Sequence, residues 1–350
     1  MSDKISLVTG GSGYIASHIV LQLLENGECV HATVRSLQNK RKIKHLLDLQ
    51  EQYPGRLTLF EADLLTPNAF DDGIRGCSTV YHVASPFLVE EQIKDGQKEV
   101  VEPALRGTES VLDAVQKTEC VRTVVFTSTV GAICGDYADT LRMKDQTLSE
   151  EYFNTTSTVE HNAYHYSKTV AEKEAWKVYD AQGATPRWRL VVMNPGLVMG
   201  PCLSPASDSG SLFVLDELIS GKLFFGLPDL WFCPVDVRDV ARAHVAAARN
   251  LDSRGRYIVA PPEMASFIQI SKILKQSCDS WLLPTHNIPS FIVRVLGPLF
   301  GLRQQWIRLN LGVHFKLDNH RSVEELGIEY RPLEETLADH YRSWVEHRKK

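Results

Sequence analysis

The chain has 350 residues, 43% of them apolar and 23% charged, with a formal net charge of −5. These values describe an ordinary globular α/β-sized chain that needs no disulfide or metal to hold its core, and so mild a charge gives no reason to expect nucleic acid or an anionic membrane as partner. Seven cysteines at irregular spacing, with no C-x-x-C pair, argue against a disulfide framework or zinc site and point to reduced thiols in the cytoplasm.

Met1-Ser2-Asp3-Lys4 lacks the order of a signal peptide. Short β-branched runs then alternate with longer helical patterns. Strands are predicted at Ile5–Thr9, Val30–Val34, Leu57–Glu61, Thr79–Val83, Thr123–Thr127 and Arg189–Met193, each apolar enough to be buried on both faces of a parallel sheet. Ile15, Ile19, Val20, Leu23 and Leu24 make one helical stripe that Gly27 stops; a second helix starts near Pro103, and a third covers roughly Ala163 to Asp180. This alternation predicts a Rossmann-type, doubly wound parallel α/β sheet. After Gly200, prolines and glycines break the rhythm. The expected organisation is a dinucleotide-binding domain of residues 1–200, to which 233–260 return, and a smaller C-terminal substrate lobe of 201–232 and 261–350. The stretch from Phe291 to Leu302 is apolar but too short and interrupted to span a bilayer, so no membrane partner is expected.

Four groups of residues carry chemistry. In the run from Ser6 to Ala16, Gly10 and Gly13 form a tight turn between strand and helix, where free helix amides face a pyrophosphate. The next strand ends in Ala32-Thr33-Val34-Arg35, without the acid that binds an NAD ribose, and Lys40, Arg41 and Lys42 follow. Cations there suit a 2′-phosphate, hence NADPH/NADP, although a solvated helix face would account for some of them. Tyr164 and Lys168 lie four apart on one helical face, and a nearby ammonium lowers a phenol pKa, as a proton donor to a carbonyl oxygen requires. Thr127, Ser128 and Thr129 supply hydroxyls at a strand end, one of which could hold that oxygen; Thr129 and Ser128 both remain candidates.

These residues resemble the extended short-chain dehydrogenase/reductase family, and within it the group of dihydroflavonol, cinnamoyl-CoA and ketone reductases. The resemblance spans nearly the whole chain: Thr9-Gly-Gly-Ser-Gly-Tyr-Ile-Ala16, Asp63-Leu64, His82-Val-Ala-Ser-Pro86, Tyr164 to Lys168, Asn194 to Pro201, and Val235 to His244. It implies cofactor contacts from Gly10, Gly13, Tyr14 and Ile15, with Arg35 and Lys42 at the 2′-phosphate and Asp63 and Leu64 beside the adenine. It also implies Val83 and Ala84 along the ribose and phosphates, and Pro195, Gly196 and Val198 at the nicotinamide. Tyr164 would be the acid, Lys168 would tune it and hold the nicotinamide ribose, and Thr129 would take the place of the family's usual serine. Phe87, Ile133 and Trp231 are the expected substrate wall. Asn162-Ala-Tyr-His-Tyr166 lacks the Trp and Cys usual around the tyrosine of cinnamoyl-CoA reductases, which argues against a thioester substrate. The expected activity is NADPH-dependent reduction of a small ketone or aldehyde by a monomer or homodimer; the alternatives are a nucleotide-sugar epimerase/dehydratase and a non-catalytic NADP-binding sensor.

Overall fold

The computed structural model describes residues 4–85, 93–206, 210–278, 281–300 and 302–348. In chain order the elements are β1 (Ile5–Val8), α1 (Tyr14–Glu25), β2 (Cys29–Val34), α2 (Lys40–Gln52), β3 (Leu57–Glu61), β4 (Cys77–His82), α3 (Glu102–Lys117), β5 (Thr123–Thr127), β6 (Thr147–Leu148), α4 (Ala163–Asp180), β7 (Arg189–Pro195) and β8 (Leu197–Met199). There follow α5 (Gly210–Ile219), β9 (Trp231–Phe232), β10 (Pro234–Asp236), α6 (Val237–Arg249), β11 (Gly255–Val259), β12 (Ala265–Ser266), α7 (Phe267–Ser277), α8 (Ser290–Leu296), α9 (Gln304–Asn310), β13 (Lys316–Leu317), α10 (His320–Glu324) and α11 (Leu333–Arg348).

Seven strands pair in the order β11-β7-β5-β4-β1-β2-β3, all in parallel. The apolar stripe of α1 packs with α2 and α6 on one face of this sheet, around Ile19, Leu23, Leu46 and Val240. On the other face α3 and α4 bury Val111, Leu112, Ala171 and Ala175 against Val80, Val124 and Val192. The valine, leucine and isoleucine side chains among these contribute about 1.5–3 kcal/mol each on full burial. Gly27 ends α1 at φ +77, with its N–H and that of Glu28 returning to Leu24 and Leu23 carbonyls.

The six predicted strands are present to within two residues at each end. The returning segment differs from expectation in detail. Its strand in the main sheet is Gly255–Val259, whereas Pro234–Asp236 pairs with Leu197–Met199 in a separate ribbon. Proline has no N–H to give a central ladder, which suits Pro234 and Pro195 to a short ribbon and a strand end. A third core cluster joins Leu215, Leu218, Phe267, Ile270 and Leu337 from α5, α7 and α11, outside the main sheet. Strand order reverses between β1 and β4, so their carboxyl ends flank the crevice where open α/β sheets bind ligands.

Candidate active site

The glycine turn follows β1 directly. Gly10 sits at φ +67, and a Cβ there would lie 3.0 Å from Ala84 Cβ, so only glycine leaves this passage open. Its N–H donates to Thr33 Oγ1 at 3.1 Å, and Gly11 N–H to the Thr33 carbonyl at 2.7 Å, which pins the turn to β2. Gly13 is the N-cap of α1 and offers no side-chain cap. The first-turn amides, those of Tyr14, Ile15 and Ala16, therefore have no intrahelical acceptor and suit an anion. The Tyr14 ring is buried and its hydroxyl donates to the Gly200 carbonyl at 2.8 Å, leaving its backbone as the group that can serve a ligand.

Thr9 closes the crevice between β1 and β4. Its Oγ1 accepts from Val83 N–H at 3.1 Å and Ala84 N–H at 3.0 Å, and lies 3.0 Å from His82 Nδ1. With both lone pairs in use, the hydroxyl proton is assigned to His82 Nδ1, which makes the ring the neutral Nε2–H tautomer. Burial agrees, pushing His82 down to about 3, with Lys168 the second influence in the same direction.

Arg35 lies exposed just past β2, and Lys42 is in the first turn of α2, whose N-cap Asn39 accepts from Lys42 N–H at 3.2 Å. Glu61, paired with Val34 across the strands, accepts from Leu37 N–H at 2.9 Å and so braces the loop. Asp63 accepts from Leu65 N–H at 2.9 Å, and Leu64 packs beneath Gly107, where a Cβ would come within 3.1 Å of it.

The third region is the start of α4. Asn162, at φ 63, caps this helix by accepting from His165 N–H and donates to the Gly135 carbonyl at 3.0 Å. Tyr164 and Lys168 follow on one face. Burial pushes Tyr164 up to about 12, and it brings Lys168 down to about 8 against the opposing charge of Glu172. The tyrosine shift runs opposite to the lowering expected from its lysine neighbour: desolvation of the phenolate governs it. A phenol held protonated is nevertheless the form a proton donor needs.

The strand-end hydroxyls divide. Thr127 lies 2.8 Å from His244 Nε2. Ser128 is buried and donates to Glu172 Oε2 at 2.5 Å. Thr129 is half-buried and extended, with its Oγ1 accepting from Gly131 N–H at 3.2 Å and lying 3.5 Å from the Pro195 carbonyl. Of the two candidates, Thr129 is thus the hydroxyl not committed to a buried carboxylate. Gly131 packs directly on His165, where a Cβ would meet the ring at 2.4 Å, so the Thr129 turn abuts the residue next to Tyr164. Gly196 passes the Cys233 carbonyl so closely that a Cβ would sit 2.1 Å from it, and Val198 is buried.

Of the expected substrate wall, Phe87 lies outside the described residues. Ile133 is fully enclosed in the core behind the Thr129 turn. Trp231 is half-buried, stacked on His314 at 4.8 Å, with its indole N–H donating to Asp229 at 3.1 Å. A groove of about 970 Å³ lies elsewhere, beside β11, lined by residues such as Glu150, Phe153, Lys173 and Arg321; it includes none of Thr129, Tyr164 or Lys168, and its cations are largely matched by Glu, Asp and aromatic neighbours. Among the described residues no group of His, Cys, Asp and Glu could hold a metal, and no helix is long and apolar enough to cross a membrane.

Four residues at this site have no role assigned from sequence: Thr33, which holds the glycine turn, and Glu172, Asn194 and Arg256 behind Thr129 and Lys168. Glu172 was visible as a third residue on the Tyr164–Lys168 face, at another four-residue step; Arg256 gave no signal, because it comes from a distant strand.

Comparison with known proteins follows the same lines. The profile described as NAD dependent epimerase/dehydratase family matches residues 6–260. A cinnamoyl-CoA reductase of Medicago truncatula is 33% identical over 345 residues, covering 98% of this chain and 96% of its own. A bifunctional dihydroflavonol 4-reductase/flavanone 4-reductase of Malus domestica is also 33% identical, over 79% of this chain and 77% of its own. Among solved structures, the yeast methylglyoxal/isovaleraldehyde reductase complexed with NADPH superposes with a TM-score of 0.77 at 27% identity, covering 99% of both chains.

Proposed function

Because this chain belongs to the NAD dependent epimerase/dehydratase family, whose extended short-chain reductases are its relatives, we propose that it is an NADPH-dependent carbonyl reductase acting on a small ketone or aldehyde. The observation that carries this reading is that the lysine one turn from a protonated phenol acts on His82, which is bonded to Thr9 at the foot of a glycine turn suited to an anion. The residues fit the cofactor. A Cβ on Gly10 would fill the crevice, and the capless start of α1 suits the pyrophosphate. Arg35, exposed just past β2, and Lys42, in the first turn of α2, are the cations assigned to a 2′-phosphate. That the yeast relative was solved with NADPH adds support.

A bound NADPH would supply a hydride from its nicotinamide ring. The protein's part is to place and protonate the acceptor. Tyr164 gives its phenolic proton to the carbonyl oxygen, a contribution of about 10²–10⁴ in rate for a positioned acid. Lys168, cationic below about pH 8, holds the nicotinamide ribose and stabilises the phenolate left behind. Thr129 donates to the same oxygen and orients it. Pro195, Gly196 and Val198 form the wall against which the nicotinamide rests. Residues 201–232 and 261–350, through Trp231, close the substrate side. Phe87 completes the proposed substrate wall, whereas Ile133, expected there, is fully enclosed and backs the Thr129 turn instead.

The test is a panel of ketones and aldehydes followed by NADPH oxidation, run beside a UDP-sugar conversion assay. Carbonyl-dependent NADPH consumption with no sugar conversion is expected. Sugar conversion with tightly held NAD would favour the epimerase chemistry, and NADP binding without turnover would favour a sensor.

A further inference from the structure

Behind the proton-transfer pair lies a buried charged network that neither the cofactor nor the acid step uses. Glu172 has no exposed surface, and its carboxylate is saturated. Oε1 accepts from Arg256 Nε at 2.6 Å and from Trp176 Nε1 at 3.4 Å. Oε2 accepts from Ser128 Oγ at 2.5 Å, Asn194 Nδ2 at 3.1 Å and Arg256 Nη2 at 3.4 Å. Asn194 Nδ2 also donates to the Thr129 carbonyl at 3.1 Å, and Arg256 to the Ala132 carbonyl at 3.3 Å. The carboxylate thus touches Ser128, which precedes Thr129, and Asn194, which precedes Pro195, and stands one helical turn from Lys168.

We infer that Glu172 is a positioning residue of the proton-transfer site: one carboxylate locks the Thr129 turn and the Lys168 helix together and sets a negative charge one turn from the lysine. The inference rests on the proposed roles of Tyr164, Lys168 and Thr129. A buried ion pair is weak as a source of stability, since an apolar pair of like volume is often as stable. Its placement between the three catalytic elements is what a positioning role requires. Arg256 anchors the far side, reaching the Glu150 carbonyl at 3.1 Å and the Tyr152 carbonyl, and stacking 3.9 Å over the Phe153 ring.

The charge matters as well as the geometry. Burial lowers Lys168 and Glu172 opposes it. On its own helix Lys168 has Tyr164 and Glu172, and from β4 it has His82, which is neutral. Of the other elements packed on α4, α3 sets Glu109 near Lys177, the turn before α3 keeps Lys98 and Glu99 with Asp95 and the Lys94 backbone, and β7 carries its one charge, Arg189, at the far end on Asn250 and Ser253. Removing the Glu172 charge therefore makes Lys168 lose its proton at lower pH. Activity that needs the ammonium is lost as pH rises through the lysine pKa, so the alkaline limb of the kcat profile moves to lower pH.

Glu172→Gln alone strands the Arg256 charge, so the informative variant is Glu172→Gln with Arg256→Met. We expect it to melt close to the parent, to lose about tenfold or more in kcat, to bind NADPH more weakly by fluorescence titration, and, because the Arg256 cation leaves together with the Glu172 anion, to show a smaller limb shift than Glu172→Gln alone. Glu172→Asp, which keeps the charge, should keep the limb in place while lowering kcat. Parent-like kcat, limb and NADPH affinity in the double variant would overturn the inference. If that variant does not fold, Ser128→Ala decides: a several-fold lower kcat at unchanged melting temperature supports positioning, and unchanged kcat refutes it. Tyr164→Phe run in parallel separates the two levels. A fully active Tyr164→Phe removes the underlying reading, whereas an inactive one beside a fully active double variant removes only this inference.

Discussion

Replacing Thr9 by valine should weaken both the fold and the cofactor site, for a reason visible at a single atom. Thr9 has no exposed surface, and its hydroxyl serves three partners: Val83 N–H, Ala84 N–H and His82 Nδ1, at 3.1, 3.0 and 3.0 Å. Valine keeps the shape and leaves all three unpaired. Each buried group without a partner costs about 1–3 kcal/mol, but water can reach the half-buried Val83 and Ala84, so a total of about 2–5 kcal/mol is expected. Serine keeps the hydroxyl and loses one methyl, a change of about 1 kcal/mol. The same peptide lines the β1–β4 crevice, so NADPH affinity should fall by about tenfold in the valine variant, equivalent to ~1.4 kcal/mol. Urea unfolding and NADPH fluorescence titration measure the two quantities. A valine variant as stable and as tightly binding as the serine variant would refute the role given to this hydroxyl.

Other consequences are equally open to measurement. Gly10→Ala puts a side chain at φ +67, costing about 1–2 kcal/mol, and its Cβ 3.0 Å from Ala84; NADPH titration should show affinity falling further than melting temperature suggests. Arg35→Glu should lower the NADPH-over-NADH ratio of kcat/KM by about 10–100-fold, as loss of a charge-assisted contact of about 1.5–3 kcal/mol implies; an unchanged ratio would remove Arg35 from the 2′-phosphate site. Acid should unfold the protein early. Burial holds His82 at about 3 and His18, His244 and His340 at about 4. Their unfolded values lie near 6.5, so below about pH 6.5 the unfolded chain takes up protons the native state refuses, and each histidine removes about 1.4 kcal/mol per pH unit. Urea midpoints should fall steeply between pH 6.5 and about 5; a flat profile there would contradict the burial of these rings.

Much of the fold was legible because its signals are local. The apolar runs at Leu57–Glu61 and Thr123–Thr127 and the helix at Ala163–Asp180 stand where periodicity places them. The glycine turn was readable because positive φ at Gly10 and a capless helix start leave few other residue choices. What stayed hidden depends on strand order. Thr9 gains its role because β1 pairs with β4, and Arg256 because β11 pairs with β7 beside β5; neither adjacency has a sequence spacing. Ser128 and Thr129 could not be separated until the buried carboxylate of Glu172 claimed the serine. The direction of the Tyr164 shift also eluded a reading based on neighbours, because desolvation is a property of the packed site. Nothing in the spacing of residues 234–236 marks the short segment at 197–199 as their partner.

The most direct test of the account is single-turnover reduction by Tyr164→Phe, with NADPH bound and a carbonyl substrate that the parent protein reduces. The phenol is assigned as the proton source, so the rate should fall by about 10²–10⁴, while NADPH affinity by fluorescence stays near that of the parent. A rate within a few-fold of the parent, at equal NADPH affinity, would mean that the proton comes from another group and that the helix carrying Tyr164 and Lys168 binds without doing the chemistry.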